Sequence, residues 1–463
     1  MNACSNSPCI RKGLSQGAAG AVRWTLWLGL GLVAVVAIAP AQEAAPASPS
    51  PPARLVVDPD SAAALAIRNS VQLKIDAQSV RGAEARLRQA FTMDNPNVSF
   101  SANVLDRGPA PSLPPEFSSL YVSVLHTETL SVNQPVWLGG KLEAQTRLAR
   151  RSVKLAASAA GVTKLALANL ARTSVLKLGL DERLQSVNYQ TLASLMEHER
   201  VTDKRYREGL VAFFEVAQAQ AQVATQQRVI AEKQQDIEKD RVTLRRVLAV
   251  DQATPVAVAL GRFPERPRGT LEELITYGLD HRPEMIRARV GVEVAEAAIR
   301  VAHRSLRPTV AISAQVVDQT KSFVTQPLSY QIVLAYQQPI FDGGLQKQQV
   351  REQRAKAEEA RLGMEALSQQ IAQEVAQEYL QLDPLQKRIR VAEVEERAAI
   401  EQLRMAHLRY VEDLGLGEEV ITAQAAVARA QTSRANAESD LQSATIRLRA
   451  AMGMADLEEA EPQ

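Results

Sequence analysis

Gln134-Pro135-Val136-Trp137-Leu138-Gly139-Gly140 recurs as Gln338-Pro339-Ile340-Phe341-Asp342-Gly343-Gly344, an offset of 204 residues (338 − 134). The same offset carries Arg205-Tyr206 onto Arg409-Tyr410, and Val216 and Gln220 onto Val420 and Gln424. Upstream the offset is 212 (308 − 96), pairing Pro96 with Pro308 and Val98 with Val310. The length difference therefore falls in the Pro-rich stretch 106–119. A period this long exceeds any solenoid unit, which runs to roughly 50 residues. It implies two copies of one structural domain.

Each motif sits where the hydrophobic period changes. Ahead of it the pattern has period two. In the first copy Val98, Phe100, Ala102 and Val104 oppose Ser99, Ser101 and Asn103, and Val122, Val124, Leu130 and Val132 oppose Ser123, Thr127, Thr129 and Ser131. In the second, Val310, Ile312, Ala314 and Val316 oppose Ala311, Ser313 and Gln315, while Tyr330, Ile332, Leu334 and Tyr336 oppose Gln331, Val333, Ala335 and Gln337. These are strands with one apolar and one polar face. Each has the roughly 9–11 residues that a tilted strand needs to cross a bilayer.

Helices flank the strands. Residues 60–93 and 271–305 read as helix, and after each motif the helical pattern runs for about 70 residues, or roughly 105 Å. Gly179 and Asp383-Pro384 are the expected weak points, where a kink or break should fall. Ile371, Val375, Tyr379, Leu382, Leu385 and Ile389 share one helix face. The returning helix carries a heptad seam from Val420 through Ala430, Ala437 and Ala444 to Leu448. Its first-copy counterpart runs from Val216 to Leu244 and is interrupted by Gln226, Lys233 and Asp240, which suits a half-wetted wall better than a dry coiled coil. Within each motif, Gly139-Gly140 and Gly343-Gly344 let a strand bend into a helix, and Pro135 and Pro339 are expected to end strand pairing.

The N-terminus reads as an export signal over residues 1–41: Arg11, Lys12 and Arg23, an apolar core at 24–39, then Ala39-Pro40-Ala41. Residues 42–57 read as a flexible Pro/Ala/Ser linker. The first repeat then spans 58–250, an inter-copy segment 251–270, the second repeat 271–453, and a short acidic tail 454–463. The full chain has 54 basic and 52 acidic residues; without the three bases of the signal this becomes 51 against 52, so no basic excess is left for nucleic acid. Both cysteines, Cys4 and Cys9, fall in the signal, which leaves no thiol chemistry and no site for an N-terminal lipid after the apolar core. His126, His198, His281, His303 and His407 stand at no metal-ligand spacing, and phosphate-binding, dinucleotide and nucleophile-elbow motifs are absent. No catalytic residue, metal or cofactor is expected.

The twice-occurring Q-P-[VI]-[WF]-x-G-G junction and the two Arg-Tyr tips, in the order helix, two strands, long helix, turn, helix, resemble the TolC family of outer-membrane factors over about residues 58–453. The resemblance implies a mainly α fold with a small β part. In it, long antiparallel helices build a periplasmic tunnel, and each protomer of a homotrimer lends two hairpins to one β-barrel in outer-membrane lipid. It implies a passive exit duct working with a periplasmic adaptor and an inner-membrane pump. The tip turns Arg205-Tyr206, Gly209-Leu210, Arg409-Tyr410, Gly415 and Gly417 are the expected adaptor contacts. Glu419, with Glu418 and the equivalent Glu215, matches the acids that line the narrow periplasmic entrance. Gly209 and Gly415 are also expected to cap helices. The copies depart from each other at Leu138 against Asp342 and at Gly209 against Asp413. Glu128 falls on an apolar strand face and is expected near the periplasmic rim or past a bulge. A soluble periplasmic coiled-coil scaffold or adaptor is the competing reading; twin strand pairs speak against it, since an adaptor would show one hairpin and lipoyl-like modules.

The expected mature protein begins just after Ala41 and carries no lipid. N-terminal sequencing and sucrose-gradient fractionation check this: the protein should band with outer membranes, and an uncleaved chain would show the apolar core to be an anchor.

Overall fold

The computed structural model describes residues 55–106, 108, 114, 124–260, 265–320, 328–412 and 414–454. The signal 1–41, most of the linker, Val122, Ser123, Asp413 and residues 455–463 lie outside them. In chain order the elements are β1 (Leu55–Val57), α1 (Pro59–Asn69), α2 (Val71–Phe91), β2 (Asn97–Asp106), β3 (Val124–Trp137), α3 (Lys141–Arg207), α4 (Phe213–Leu248), β4 (Val256–Val258), α5 (Leu271–His281), α6 (Pro283–His303), β5 (Thr309–Thr320), β6 (Leu328–Gln337), α7 (Leu345–Val411) and α8 (Gly417–Ala451). The two copies have the same order of helices and strands, as the duplication requires.

Three expectations are corrected. First, the linker 42–57 does not stay free to its end: β1 pairs in parallel with β4 from the inter-copy segment, and Asp58 and Ser61 then form a capping box that starts α1. Second, the helices expected at 60–93 and 271–305 are each split in two. Ser70 leaves the helical region, with ψ 122°, and its hydroxyl accepts the Leu73 N–H at 3.2 Å, ending α1 and starting α2. Arg282 is extended because Pro283 follows, and proline disfavours helical backbone in the residue before it. Third, α3 and α7 run unbroken through Gly179 and Pro384 for 67 residues each, about 100 Å. Pro384 costs a helical hydrogen bond, but fully buried Leu382, Val375 and Ile371 anchor the helix beside it, and Asp383 pairs with Arg266 at 2.7 Å. At Gly179 a methyl group would sit 2.6 Å from the Leu260 side chain, so the glycine seats the inter-copy segment on α3.

The four longer strands form one antiparallel sheet in the order β2-β3-β5-β6. Val98 pairs with Val132, Val132 with Ala314, and Ala314 with Ile332; Phe100, Leu130, Val316 and Tyr330 form the next row. The expected faces are therefore kept across the sheet. Glu128 is corrected: it sits opposite Ala102 and Asp318, towards the end of the sheet away from the helices, and not past the bulge. That bulge lies between Pro135 and Trp137. Pro135 does not end pairing, since β3 stays bonded to β5 through it; β2 has already stopped at Asn133, so a residue without an N–H is tolerated on the free side. The extra residue turns Trp137 into the apolar row of Val310 and Tyr336.

Helices continue the strand order. Packed neighbours run α2, α3, α6, α7, matching β2, β3, β5, β6. One core gathers Ala63, Ala66, Val175, Leu178, Leu244 and Leu248 around β1 and β4; another gathers Leu274, Ile371, Val375, Leu382, Leu448 and Met452. The polar positions of the α4 seam are answered from α3: Gln226 donates to the Asn188 carbonyl at 3.1 Å, Lys233 pairs with Asp181 at 2.8 Å, and Asp240 with Lys177 at 2.6 Å. Their α8 counterparts, Ala430, Ala437 and Ala444, are buried without polar groups.

Gly139 has φ +62°, and a methyl group there would lie 2.5 Å from the Pro308 carbonyl oxygen and 2.7 Å from Arg307 Cβ. Gly139→Ala should therefore lose more than the roughly 1–2 kcal/mol that left-handed backbone costs a non-glycine residue. Gly291→Ala, in the interior of α6 with open space around it, should gain about 0.5–1 kcal/mol. Thermal unfolding followed by circular dichroism should show midpoints moving in opposite directions.

Candidate functional site

The candidate residues fall at the two ends of the long helices. At the end away from the sheet, α3 closes on a Gly-capped turn: Gly209 N–H donates to the Tyr206 carbonyl and Leu210 N–H to the Arg205 carbonyl, both at 2.9 Å, with Gly209 at φ +77°. Only left-handed backbone closes this turn, which suits glycine. The second tip differs. Gly415 does not have positive φ and is no such cap; it is packed against Arg409 Cβ and the Glu419 carboxylate. Asp413, the sequence match of Gly209, lies outside the described residues.

The matching tyrosines also part company. Tyr206 is 42% exposed and packs on the Phe213 ring, with centroids 5.7 Å apart. Tyr410 is 2% exposed and is held from the first copy. Its hydroxyl meets the Thr202 hydroxyl at 3.1 Å, the Arg205 guanidinium lies 4.4 Å over its ring and donates to its carbonyl, and His198 packs at 5.3 Å. Gly417 is the floor of this cluster: a methyl group there would be 3.4 Å from both the Tyr410 ring and the Glu215 carboxylate. Tyr410 and Gly417, expected as docking residues, are thus interior parts of a lock between the two hairpins. The exposed apolar residues at the tips include Leu210, one of the expected docking residues, together with Phe213, Phe214, Leu414 and Leu416. The adjacent Phe213-Phe214 pair was visible in the sequence as a signal that periodicity does not use.

The candidate gate acids are not brought together within one protomer. Glu418 and Glu419 are exposed in the first turn of α8, where they line a cavity of about 480 Å³ with Arg409 and Thr422. Glu215 is half-buried in the first turn of α4, on the Gly417 side of the lock. At the opposite end, Pro135, Gly139 and Gly140 lead β3 into α3, and Pro339, Gly343 and Gly344 lead β6 into α7. Both Gly pairs have positive φ at each residue. Asp342 caps the second corner, its carboxylate accepting the Gly344 and Gln346 N–H groups at 3.0 and 2.8 Å.

A duplicated helix–hairpin–helix unit with these corners and tips can be compared with known proteins. The family model for outer membrane efflux protein matches residues 62–250 and 274–454, both copies almost end to end. The chain belongs to the outer membrane efflux protein family. This is a family of transport proteins of the outer membrane, not of enzymes. A curated relative, the pyoverdine export outer membrane protein OpmQ of Pseudomonas putida, is 26% identical over 314 residues. That match spans 64% of this chain and 64% of OpmQ, just under two thirds of its length. The fold matches the outer membrane protein VceC of Vibrio cholerae with a TM-score of 0.71 at 21% identity, over 85% of this chain and 96% of that one. It also matches the CmeC outer membrane channel of Campylobacter jejuni with a TM-score of 0.73 at 16% identity, over 86% of each chain. The mainly helical architecture with a small sheet and an internal duplication is that of these channels.

In this efflux-family chain the lock carries a titratable group. Burial pushes the His198 imidazole below its ordinary value, and nearby His407 adds to the shift. Its Nδ1 is buried without a partner. The neutral ring is therefore the form that fits. Above an ordinary histidine value of about 6.5 both folded and unfolded chains hold it neutral; as pH falls below that, the unfolded chain takes the proton first and the lock loses stability. Lowering the pH from about 7.5 to 5.5 should lower the thermal midpoint. His198→Gln should lower it less over the same range, and equal pH dependence in both proteins would clear His198 of the effect.

Proposed function

We propose that the protein is the outer-membrane exit duct of a tripartite export system, assembled as a homotrimer and served by a periplasmic adaptor and an inner-membrane pump. The observation that carries this reading is the sheet. Its apolar face is open, with Ile332 70% and Leu334 71% exposed, and it stands on helices about 100 Å long. A soluble scaffold would have covered that face. Four strands cannot close a barrel, for which about eight are the minimum, and open edges are forbidden in lipid. Three copies supply twelve strands and remove the edges. The polar face, lined by Ser131, Thr129, Ser313 and Gln315, then borders the lumen.

The tip end takes the adaptor through exposed apolar side chains at Leu210, Phe213, Phe214, Leu414 and Leu416. Tyr206 and Gly209 belong to this contact surface, and Arg409 and Gly415 support it from below. Glu418 and Glu419 from three protomers form the cation-attracting entrance, and the Arg205–Tyr410 lock holds it narrow.

Planar-bilayer recording of the purified full-length protein tests the reading. Cation-selective conductance, blocked by multivalent cations from the tunnel side, is expected. Glu419→Gln should weaken selectivity and block, Glu215→Gln should do so less, and Arg205→Ala should raise conductance by releasing Tyr410. A protein recovered chiefly in the soluble periplasmic fraction would overturn the reading; unchanged selectivity in the Glu215/Glu419 double variant would remove these acids from the entrance.

A further inference from the structure

Below the sheet, where β3 enters α3 and α6 enters β5, lies a cavity of about 620 Å³. Its lining includes Trp137, Arg147, Arg300, His303, Arg304 and Arg307, against a single acid, Glu143. Four guanidinium groups thus converge on one space, and among the described residues none of them has an ion-pair partner. All four are exposed, so water screens much of their mutual repulsion, and an anion among them would offset the rest. Both walls come from the centre of the protomer, since α3 and α6 are packed neighbours, so a second subunit is not needed to complete the site.

The second copy shows what is missing. At its corner the Asp342 carboxylate accepts the Gly344 and Gln346 N–H groups and caps α7. At the first corner Leu138 occupies that place, and no side chain caps α3 at Gly140. The turn is otherwise the same: Lys141 N–H bonds the Leu138 carbonyl at 3.0 Å, as Leu345 N–H bonds that of Asp342 at 3.3 Å. The second-copy style of arginine placement is also changed. By the upstream offset of 212, Arg304 and Arg307 correspond to Thr92 and Asn95. One corner has its own carboxylate; the other has leucine in that place and is flanked by arginines.

Height in the membrane identifies the anion's source. The bulge in β3 places Trp137 in the outward apolar row with Val310 and Tyr336, the row nearest the helices. Aromatic residues at that level mark the headgroup boundary of a membrane barrel. Exposed Leu334 and Ile332 continue the same face into the hydrocarbon. A cavity of arginines beside an apolar wall suits a molecule with an anionic head and acyl tails.

We propose that this cavity binds the phosphate of an anionic glycerophospholipid in the periplasmic leaflet, one per protomer, beside a corner that has no carboxylate equivalent to Asp342. The inference rests on the membrane-channel reading above. Arginine suits the role because its planar fork meets phosphate oxygens two at a time.

Native mass spectrometry of the full-length protein in mild detergent, titrated with phosphatidylglycerol, tests this. Wild type should retain up to one lipid per protomer. Arg300→Gln/Arg304→Gln/Arg307→Gln should weaken retention at least tenfold, and Arg351→Gln, the second-copy match of Arg147, should leave it unchanged. Leu138→Asp, which supplies the internal carboxylate and keeps the corner, should displace the lipid even if the triple variant fails to fold. Wild-type retention in Leu138→Asp would overturn the proposal. So would complete competition by inorganic phosphate at equal concentration, which would make the cavity a site for free phosphate. Conductance of the same preparation separates the two readings: a conducting protein without retained lipid loses only this inference, whereas a protein that does not enter bilayers loses both.

Discussion

A strand can hand over to a helix without losing its place in a wall only if the backbone turns within a few residues. At Gly139-Gly140 and Gly343-Gly344 two successive residues with φ between +62° and +88° make that turn. A side chain would oppose left-handed backbone at each of these positions. Because the corners are this tight, the order β2-β3-β5-β6 becomes the helix order α2-α3-α6-α7 with nothing exchanged. The register of the sheet then sets which helix flanks meet. Ion pairs between neighbouring helices, such as Arg361 with Glu296 at 2.7 Å and Arg151 with Glu293, follow from a phase fixed at the corners. Partly exposed pairs of this kind contribute little to stability individually, so they record the alignment more than they cause it.

Duplication supplies the plan, and divergence between the copies supplies the function. The α4 seam keeps Gln226, Lys233 and Asp240, each answered by a partner on α3. The α8 seam has alanine at all three places, and α8 packs against α3 as well as α7. Small residues let two helices share one flank, whereas long polar ones bind a single partner. The same asymmetry recurs at the tip. Tyr410 is enclosed by Thr202, Arg205 and His198 of the first copy, whereas its twin Tyr206 lies at the surface. The second hairpin is thereby held by the first, and the converse contact does not exist among the described residues.

Much of this was legible in the sequence because it is periodic. Alternation named both faces of all four strands, and the repeated Gly pairs named both corners. What failed was local or long-range. The breaks at Ser70 and Arg282 occupy one residue each and leave the 3.6 period on both sides almost undisturbed; of the two, only Pro283 gave a signal. Pro384 gave the opposite signal and was overruled by packing on either side of it. Three-residue strands such as β1 and β4 pair across nearly the whole first copy, and no local pattern announces a partner that far away. Alternation puts Glu128 on the correct face, but its height depends on register, which alternation alone does not set. At the tip the residue types are legible and their burial is not: whether an Arg-Tyr pair is a surface or a lock depends on the other copy.

The edges of the protomer extend the same argument. At the inner corner Gly139 is pressed against the Pro308 carbonyl and Arg307, but at Gly343 no atom lies within 4 Å of where a methyl group would be. Ile340 and Phe341, just before it, are 93% and 85% exposed. The second corner thus repeats the backbone of the first, but among the described residues nothing is packed on its glycines. By the upstream offset, the residues that match Arg307 and Pro308 are Asn95 and Pro96, on the opposite edge of the sheet. In the proposed trimer the open corner of one subunit meets that edge of the next. The contact between subunits then repeats the contact between the two halves of a single chain. A barrel of three subunits needs no new interface geometry on this plan, because the duplication had already solved the joint once inside the protomer.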